Sequence, residues 1–494
     1  MTNIPRTLPL PSSSNLSILT PPFLVFHGTF IVPTKNPFRN CLEVGAAPEC
    51  VEIKQNHLML VDTSTGKITY FAPDHTPESQ ARLHIWTCPL DDQYEYIKLA
   101  PTQMLSPGFI DLHIHAPQYS YTGTATDRPL MGPDGWLERY TFPAERSLNT
   151  DDLRKAHDVY SKVVSTTVKH GTTTALYFAT LHVKPTKVLC DVASDIGQRA
   201  LIGKVCMDRN CPEDYCETTE ENLRGTEDIV QYIRNSSAGR NGLLMPVITP
   251  RFIPTCTPEL LSGLAVMARR YDCHIQSHVS ESIDEVAFSR FLDEKGQGRS
   301  DTVVFDSLNC LTAKTVLAHG VFVDDDDADI LRTRGCAIGH CPLSNFYFAG
   351  RALPCRHLMQ RGNKVGLGTD VAGGYSPSML NSCRSAVIAS KSLWQAKYYA
   401  NEISSTSEGD DTCSLTYKHA YYLATLGGAE ALGLDNEIGT FRVGFKFDAI
   451  LFSAMKDNIH VFSADTVEDI FQKLCCLGDD RNVERVYVQG RRLV

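Results

Sequence analysis

The sequence has no apolar run long enough to cross a membrane. A transmembrane helix needs roughly 18 consecutive apolar residues, and no segment of the 494 residues approaches that length. The N-terminal stretch is rich in Pro and Ser and lacks the compact apolar core of a secretory signal, and the C-terminal residues are not a peroxisomal tripeptide. We therefore expect a cytoplasmic protein that does not bind membranes.

The sequence also lacks the basic stripe that nucleic-acid-binding proteins present. Its 47 Lys and Arg residues are outnumbered by 57 Asp and Glu residues, which gives a formal net charge of −10. Binding to a nucleic acid polymer depends on positive charge that neutralises phosphates. We therefore expect no nucleic acid polymer as a partner.

The 17 cysteines have no regular spacing. In a long cytoplasmic chain this distribution is typical of reduced thiols rather than of a disulfide framework. Cys206, Cys211 and Cys216 are separated by wider gaps than the pairs of a zinc knuckle, so we expect free thiols there and no structural zinc. The four consecutive aspartates at 324–327 lack the other residues of a calcium loop, and we expect them to open a helix.

Two segments of β-type sequence enclose a longer region of alternating pattern. Short β-prone pieces occur within 21–105 and again within 435–494, and neither set can bury both of its faces alone. Packing them together predicts a small β-sandwich built from both chain ends. Residues 1–20 are expected to form a mobile tail, and the chain shows no internal repeat.

Between residues 106 and 434, short apolar strand candidates alternate with amphipathic helical stretches. Eight such alternations predict an α/β fold, a TIM-type (β/α)8 barrel. The predicted strand ends lie near His115, Tyr177, Asp208, Phe252, His278, His319, Cys341 and Asp370. The predicted helices include residues 151–170, 219–234, 257–271, 324–334, 379–399 and 417–432.

Two histidines stand two positions apart in the segment PGFIDLHIH, residues 107–115. In a strand, residues i and i+2 point to the same face, so His113 and His115 can direct both imidazoles at one metal ion. His278, His319 and Asp370 each follow their own apolar run, and the carboxyl ends of barrel strands meet at one rim. Imidazole and carboxylate together suit Zn²⁺ or Fe²⁺, and the sequence therefore predicts a metal site at this rim.

These residues, with SH at 277–278, AHG at 318–320 and GTD at 368–370, resemble the amidohydrolase superfamily. Finer motifs resemble its mononuclear zinc branch that deaminates guanine; they lie at 115–118, 140–145, 171–175, 203–208, 249–252, 274–281, 366–374 and 478–482. The similarity runs from about residue 100 to the end of the chain. Leu112 and Leu343 depart from the common pattern, in which Thr and Asn occur. Neither change removes a ligand, but the second puts neighbouring residues of the strand 7 rim in doubt as site residues.

The resemblance implies a role for each matching residue. It implies that one Zn²⁺ per subunit, or alternatively Fe²⁺, is held by a set of four ligands: His113, His115, His278 and Asp370. It implies catalytic roles for three residues: Glu281 as the proton shuttle, Asp370 as the base for water, and His319 as a hydrogen-bonding group beside the metal. It implies a substrate pocket formed by Gln118, Arg251, Phe252, His278, Glu281 and Asp370. The implied reaction is hydrolysis of guanine to xanthine and ammonia, and the implied assembly is a homodimer.

Several of these residues also have a plain structural interpretation. Glu281 could begin a helix, where acids are favoured, Arg251 could be an ion-pair partner, and Gln118 could cap a loop. His274 is expected to pack between a helix and a strand, and His340 to line the substrate or to be structural rather than to bind metal.

The roles of two further residues stay open, and so do two other functions of the chain. Glu145 and Lys204 are expected to be structural, although a carboxylated Lys204 could bridge two metals in a related enzyme. The chain could deaminate another purine, a pterin or a triazine-like ring at the same site. It could also be a catalytically silent relative that binds a scaffold or the cytoskeleton, an interpretation that predicts missing ligands.

Overall fold

The computed structural model describes residues 21–38, 49–88, 92–124, 127–293, 295–402 and 413–494, with only the backbone of 397–402. The predicted N-terminal tail lies outside the described residues. The N-terminal part contains five strands and one helix: β1 (Phe23–Pro33), β2 (Val51–Asp62), β3 (Lys67–Pro73), α1 (Pro77–Trp86), β4 (Tyr94–Lys98) and β5 (Gln103–Pro107).

Eight parallel strands form the barrel, and a short ninth strand, β9, pairs with β10. In chain order they are β6 (Phe109–His115), β7 (Thr172–Phe178), β8 (Arg199–Gly203), β9 (Val205–Cys206), β10 (Leu244–Pro250), β11 (His274–Val279), β12 (Thr315–His319), β13 (Ala337–His340) and β14 (Lys364–Leu367). The hydrogen-bonded order is β6-β7-β8-β10-β11-β12-β13-β14. The chain after β14 returns to β6, where the Asp370 N–H donates to the His113 carbonyl (2.8 Å) and the His115 N–H donates to the Val371 carbonyl (3.0 Å). The predicted TIM-type barrel is confirmed.

Helices follow the strands and cover the outside of the barrel. They are α2 (Phe142–Arg146), α3 (Arg154–Lys169), α4 (Val183–Ile196), α5 (Thr219–Asn235), α6 (Ser237–Arg240), α7 (Pro258–Arg270), α8 (Ile283–Phe291), α9 (Asp301–Ser307), α10 (Asp325–Arg334), α11 (Pro342–Ser344), α12 (Cys355–Gln360), α13 (Met379–Glu402), α14 (Tyr417–Leu423) and α15 (Leu426–Leu432). Side chains that cap the first turn determine where several of these helices begin. Thr218 and Glu221 form a capping box at α5, and the Asp324 side chain caps α10 as the aspartate run predicts. Every residue of β6, β7, β8, β11, β12 and β13 is buried, because a parallel sheet is covered on both faces.

The helix predicted over 417–432 is two helices, α14 and α15, and this prediction is wrong. At the break the Ala424 carbonyl accepts a hydrogen bond from the Ile110 N–H of β6 (2.9 Å). The Thr425 hydroxyl also donates to the Tyr421 carbonyl (2.7 Å). The chain therefore leaves the helix to join the start of the first barrel strand.

The C-terminal part adds β15 (Ala449–Ser453), α16 (Val467–Leu477), β16 (Val483–Val488) and β17 (Arg491–Arg492). These strands join the N-terminal ones in one sheet of eight strands, in which β15 pairs with both β5 and β16. The β-sandwich predicted from both chain ends is confirmed as a β-domain that contains strands of both ends, and its described strands form one sheet. Arg199, at the start of β8, pairs with Asp448 before β15, and this buried ion pair joins barrel and sheet.

The amino-terminal half of the barrel interior is filled with apolar side chains. Ile110, Leu112, Leu176, Leu201 and Val316 belong to one cluster with residues of α15. This packing leaves the carboxyl ends of the strands as the end of the barrel that can hold a site. No helix in the described part of the chain combines the length and apolar character that spanning a bilayer requires.

One expectation about cysteine is wrong. Cys211 and Cys216 are joined by a disulfide, with their Cα atoms 5.7 Å apart, a separation that a disulfide spans. A single helical turn, Glu213–Tyr215, folds the chain back between them. Cys206 is buried elsewhere, beside the hydroxyl of Thr226 (3.1 Å), so the three cysteines form no cluster for zinc.

Candidate metal centre and adjoining pocket

The carboxyl ends of β6, β11 and β12 and the segment after β14 bring the predicted ligands together. Nε2 of His113 lies 3.2 Å from Oδ1 of Asp370, and Nε2 of His115 lies 3.5 Å from the same oxygen. Nε2 of His115 lies 3.1 Å from Nε2 of His278. His319 also joins this group, because its ligand atom lies within 4.8 Å of those of His113 and Asp370. Five residues from four separate chain segments therefore face one small volume.

Two of these imidazoles are oriented by hydrogen bonds from Nδ1, the ring nitrogen that faces away from the cluster. Nδ1–H of His278 donates to the Arg251 carbonyl (2.6 Å), and Nδ1–H of His319 donates to Oδ1 of Asn345 (3.0 Å). These tautomers follow from the hydrogen-bond partners, which accept only. Each ring therefore presents its Nε2 lone pair to the cluster.

A buried carboxyl joins β6 to the segment after β14. Asp111 accepts hydrogen bonds from the His113 N–H (3.1 Å), the Thr369 N–H (3.0 Å) and the Thr369 hydroxyl (2.6 Å). Burial raises the pKa of Asp111 to about 7. Asp111 thereby fixes the distance between two chain segments that each carry a predicted ligand.

Three residues at this rim have left-handed backbone conformations. The φ angles are +46° at Ser280, +72° at His319 and +49° at Asp370. A non-glycine residue in this region costs on the order of 1–3 kcal/mol and persists where the surroundings enforce it, which is common at functional sites. The backbone strain therefore coincides with the predicted ligands.

The donor set fits a divalent cation. Burial lowers the pKa of His113, His115 and His278 well below the usual range, so their imidazoles are neutral and their lone pairs are free to coordinate. Nε2 of His113 and Nε2 of His319 are buried and have no hydrogen-bond partner among the described residues. A buried nitrogen without a partner is costly, and a cation beside the Asp370 carboxylate would satisfy Nε2 of His113.

Glu281 lies beside the cluster, in the loop between β11 and α8. Its Oε1 is 3.5 Å from Nε2 of His319. Burial raises the pKa of Glu281 well above the usual range, and the nearby Asp370 and Asp284 raise it further. The alternative that Glu281 begins a helix does not describe its position, because Ser282 is the N-cap of α8 and the Glu281 side chain lines the pocket. The raised pKa favours the protonated form of this carboxyl.

A pocket opens next to the cluster, and all six residues predicted to contact substrate line it. Arg251 lines this pocket and also pairs with Glu145 (2.8 Å), so the ion-pair interpretation describes only part of its contacts. Gln118 accepts a hydrogen bond from the Ala372 N–H (3.3 Å), and its side chain also lines the pocket.

The alternative ligands lie outside the cluster. His274 is buried at the start of β11, where Nε2 donates to the Leu432 carbonyl (2.8 Å). Lys204 pairs with Glu217 (2.6 Å) and also donates to the Val205 carbonyl (3.2 Å), so its amine is held as an ion-pair partner. Nδ1 of His340 lies 3.4 Å from Nδ2 of Asn345, and burial lowers the pKa of His340 to about 3. His274, Lys204 and His340 therefore have structural surroundings.

Sequence reasoning missed several residues of the site. The apolar pocket lining includes Leu130, Trp136, Leu137 and Phe348, none of which is predicted. Asn345 orients His319 although it lies in the rim segment that the Leu343 departure puts in doubt. Glu145, expected to be structural, contacts two of the predicted pocket residues. The only signal for Glu145 is an acid that ends the otherwise uncharged motif YTFPAE, residues 140–145.

Comparisons with known proteins agree with this geometry. Residues 104–493 match the model of the Amidohydrolase family. The chain is 40% identical over 484 residues to a guanine deaminase of Mus musculus, covering 96% of this chain and 98% of that one. It is 38% identical over 474 residues to a guanine deaminase of Dictyostelium discoideum, covering 95% and 98%. Its fold matches a C. acetobutylicum guanine deaminase crystallised with guanine in its active site, with a TM-score of 0.81, 28% identity, and coverage of 96% of this chain and 100% of that chain.

Proposed function

This chain belongs to the amidohydrolase family, and on that premise we propose that it hydrolyses guanine to xanthine and ammonia. The observation that carries the proposal is a single pocket that combines metal-type donors, the buried Glu281 carboxyl and the Arg251 guanidinium. The similarity to guanine deaminases over nearly the whole chain supports the same substrate. The reaction would place the protein in purine catabolism.

We propose one Zn²⁺ per subunit as the metal, with Fe²⁺ as the alternative. His113, His115, His278 and Asp370 would hold it, because three neutral imidazoles and one carboxylate suit these ions. Zinc, when bound, would lower the pKa of water to about 7 and so supply a hydroxide-type nucleophile at neutral pH.

Recognition of the ring falls to Arg251, Gln118 and Phe252. Guanine presents two acceptors side by side, O6 and N7, and the planar guanidinium of Arg251 offers matching N–H donors. Phe252 offers an apolar face to the purine. Gln118 lines the same pocket and carries both a donor and an acceptor for the ring edge.

The proton transfers follow from the positions of the two carboxyl groups. Asp370 takes a proton from water as the water oxygen bonds to C2, and Glu281 donates its proton to N3. The proton held by Asp370 then passes to the amino nitrogen, the C2–N bond breaks, and ammonia leaves. The remaining hydroxyl proton returns to Glu281 as the C2 carbonyl of xanthine forms.

His319 lies between these two carboxyl groups. Its Nε2 is 3.5 Å from Oε1 of Glu281 and 3.9 Å from Oδ2 of Asp370. Because its Nδ1–H is donated to Asn345, the Nε2 lone pair can accept a hydrogen bond from the attacking water or from the new hydroxyl.

The test is turnover by purified, metal-analysed protein offered guanine, adenine, cytosine and a pterin in parallel. We expect ammonia and xanthine in equal amounts from guanine alone, loss of activity on chelation, and recovery with Zn²⁺. Turnover of another ring would identify a related deaminase, and bound metal with no turnover of any ring would favour the silent scaffold-binding relative. Either outcome would overturn the proposed reaction.

We further propose a homodimer in the cytoplasm. Exposed large apolar side chains on α13 and at the end of α16, Ile388 and Leu477, support a subunit contact. Apart from Cys211 and Cys216, buried cysteines such as Cys190, Cys256 and Cys341 stay as thiols, which suits a reducing compartment. Light scattering should give twice the 54.7 kDa of one chain, and cell fractionation should recover the protein with cytoplasmic markers.

A further inference from the structure

Glu145, on α2, has a completely buried carboxylate directly behind the pocket. Its Oε1 accepts hydrogen bonds from Nε2 of Gln118 (2.9 Å) and Nη2 of Arg251 (3.3 Å). Its Oε2 accepts hydrogen bonds from Nη1 of Arg251 (2.8 Å) and from the Tyr215 hydroxyl (2.8 Å). Three of these four hydrogen bonds come from side chains that line the pocket.

We propose that Glu145 is the positioning residue for purine recognition, which holds Arg251 and Gln118 in the geometry that binds the ring. The inference rests on the proposed function and deepens it. Glu145 takes one N–H from each terminal nitrogen of Arg251, so the plane of the guanidinium cannot rotate and its remaining N–H groups keep one direction. The Glu145 carboxylate balances the charge of the buried guanidinium on the side away from the pocket. A neutral purine can therefore bind on the pocket side without a counterion.

The Glu145 carboxylate also fixes the orientation of the Gln118 side-chain amide. Nε2 donates to Glu145 while Oε1 accepts from the Ala372 N–H, so the nitrogen and oxygen cannot exchange places. A fixed amide presents its remaining donor and acceptor in a defined order to the substrate edge. Two recognition groups from separate segments therefore depend on one residue.

Other contacts support Glu145 itself. The Tyr215 hydroxyl accepts from the Leu181 N–H (3.1 Å) while it donates to Glu145, so its direction is also fixed. The ring of Phe142, on the same helix, lies 5.1 Å from the Arg251 guanidinium carbon. Trp136, which lines the pocket, precedes this helix by one π-helical turn, Leu137–Thr141. One short segment thus supplies a pocket wall and the carboxylate behind it.

The competing interpretation is a buried ion pair that only stabilises the fold. The two differ in the Glu145→Asp variant, which keeps the charge but withdraws the carboxylate by one carbon. A purely stabilising role predicts a lower Tm with unchanged kinetics per folded, zinc-loaded site. A positioning role predicts weaker guanine binding with metal content unchanged.

The experiment is steady-state kinetics on the zinc-loaded full chain, with xanthine as a competitive inhibitor. For Glu145→Asp we expect KM for guanine and Ki for xanthine to rise about tenfold or more, with kcat within about threefold of wild type, because loss of a charge-assisted hydrogen bond weakens binding by that order. Tyr215→Phe should have a smaller effect, since it leaves the contacts to Arg251 and Gln118 in place. Glu437→Asp is the matched control, because Glu437 pairs with Lys446 (2.5 Å) away from the pocket.

A coupling measurement shows whether Glu145 acts through Arg251. In an Arg251→Lys background the KM penalty of Glu145→Asp should be at least about threefold smaller than in wild type, because residues that share a contact are not additive. An unchanged KM in the soluble Glu145→Asp variant, or a full penalty in the Arg251→Lys background, would overturn the positioning role. Wild-type protein that leaves guanine untouched would instead overturn the proposed function.

Discussion

The Arg251 carbonyl oxygen accepts a hydrogen bond of 2.6 Å from Nδ1 of His278. The main chain of Arg251 therefore orients a predicted metal ligand, while its side chain lines the pocket and pairs with Glu145. Arg251 directly follows β10, and His278 lies near the end of β11. These two strands are neighbours in the barrel. The proposed metal site and the proposed ring-recognition site are thus built from adjacent strands and share one residue.

Replacement of His278 by alanine should remove the bound metal. The variant loses one of the three imidazoles proposed as ligands, and loss of a ligand weakens a site of this type severely. His274→Ala is the matched control, because this histidine lies on the same strand but donates to the Leu432 carbonyl away from the cluster. Metal analysis after dialysis checks both variants. Stoichiometric zinc in His278→Ala would show that His278 is not a ligand.

Glu281→Gln should keep its zinc and lose turnover. The amide cannot carry the proton that burial holds on this carboxyl, so we expect kcat to fall by about a hundredfold or more. Glu259→Gln, an exposed change of the same type on α7, should leave kcat at the wild-type value. Near-normal turnover by the zinc-loaded Glu281→Gln protein would exclude Glu281 as the proton donor.

Most of the metal cluster follows from the strand ends that the sequence predicts. His113, His115, His278 and His319 lie on or at the end of barrel strands, so period-2 geometry and the common rim of a barrel place them together. Asp370 lies beyond β14 rather than in it, but the segment that carries it hydrogen-bonds to β6. Short apolar runs identify such strands well because the barrel buries them on both faces.

Residues between the strands could not be placed in the same way. Trp136 caps a π-helical turn and Glu145 lies in a short helix, where no periodic pattern gives the direction of a side chain. Asn345 likewise begins a π-helical turn after α11, Asn345–Ala349, and its contact with His319 depends on how that turn packs. The break between α14 and α15 is set by a tertiary hydrogen bond to Ile110, which local sequence does not encode.

Asn345→Ala should lower kcat while the metal content stays unchanged. The substitution removes the acceptor that holds Nδ1–H of His319, so the ring loses its fixed tautomer. Outer groups that orient a site histidine are typically worth about 10–100-fold in activity. Asn345→Asp keeps an oxygen acceptor at this position and should retain more activity than the alanine variant. Equal activity of Asn345→Ala and wild type would mean that His319 needs no orienting partner.

Asp448→Asn should destabilise the protein without changing the chemistry. Arg199 and Asp448 have side chains only 2% and 3% exposed, and the pair lies at the amino end of β8, opposite to the site. The amide leaves the buried guanidinium without its counter-charge, which costs about 3–5 kcal/mol when such a pair is broken. We expect a clearly lower Tm and urea midpoint for the metal-loaded protein, with kcat per folded site unchanged.

The matched control for this pair is Asp158→Asn, on the exposed surface of α3. Asp158 pairs with Lys162 (2.7 Å), and both side chains are more than half exposed. Exposed pairs contribute about 0–1 kcal/mol, because water and salt screen them, so this variant should unfold close to wild type. If Asp448→Asn unfolded at the same temperature as Asp158→Asn, the barrel and the β-domain would not depend on this ion pair. Other contacts between the two parts, such as that of the Phe109 ring in β6 with the Phe452 ring in β15 (5.9 Å between centroids), would then be sufficient to hold them together.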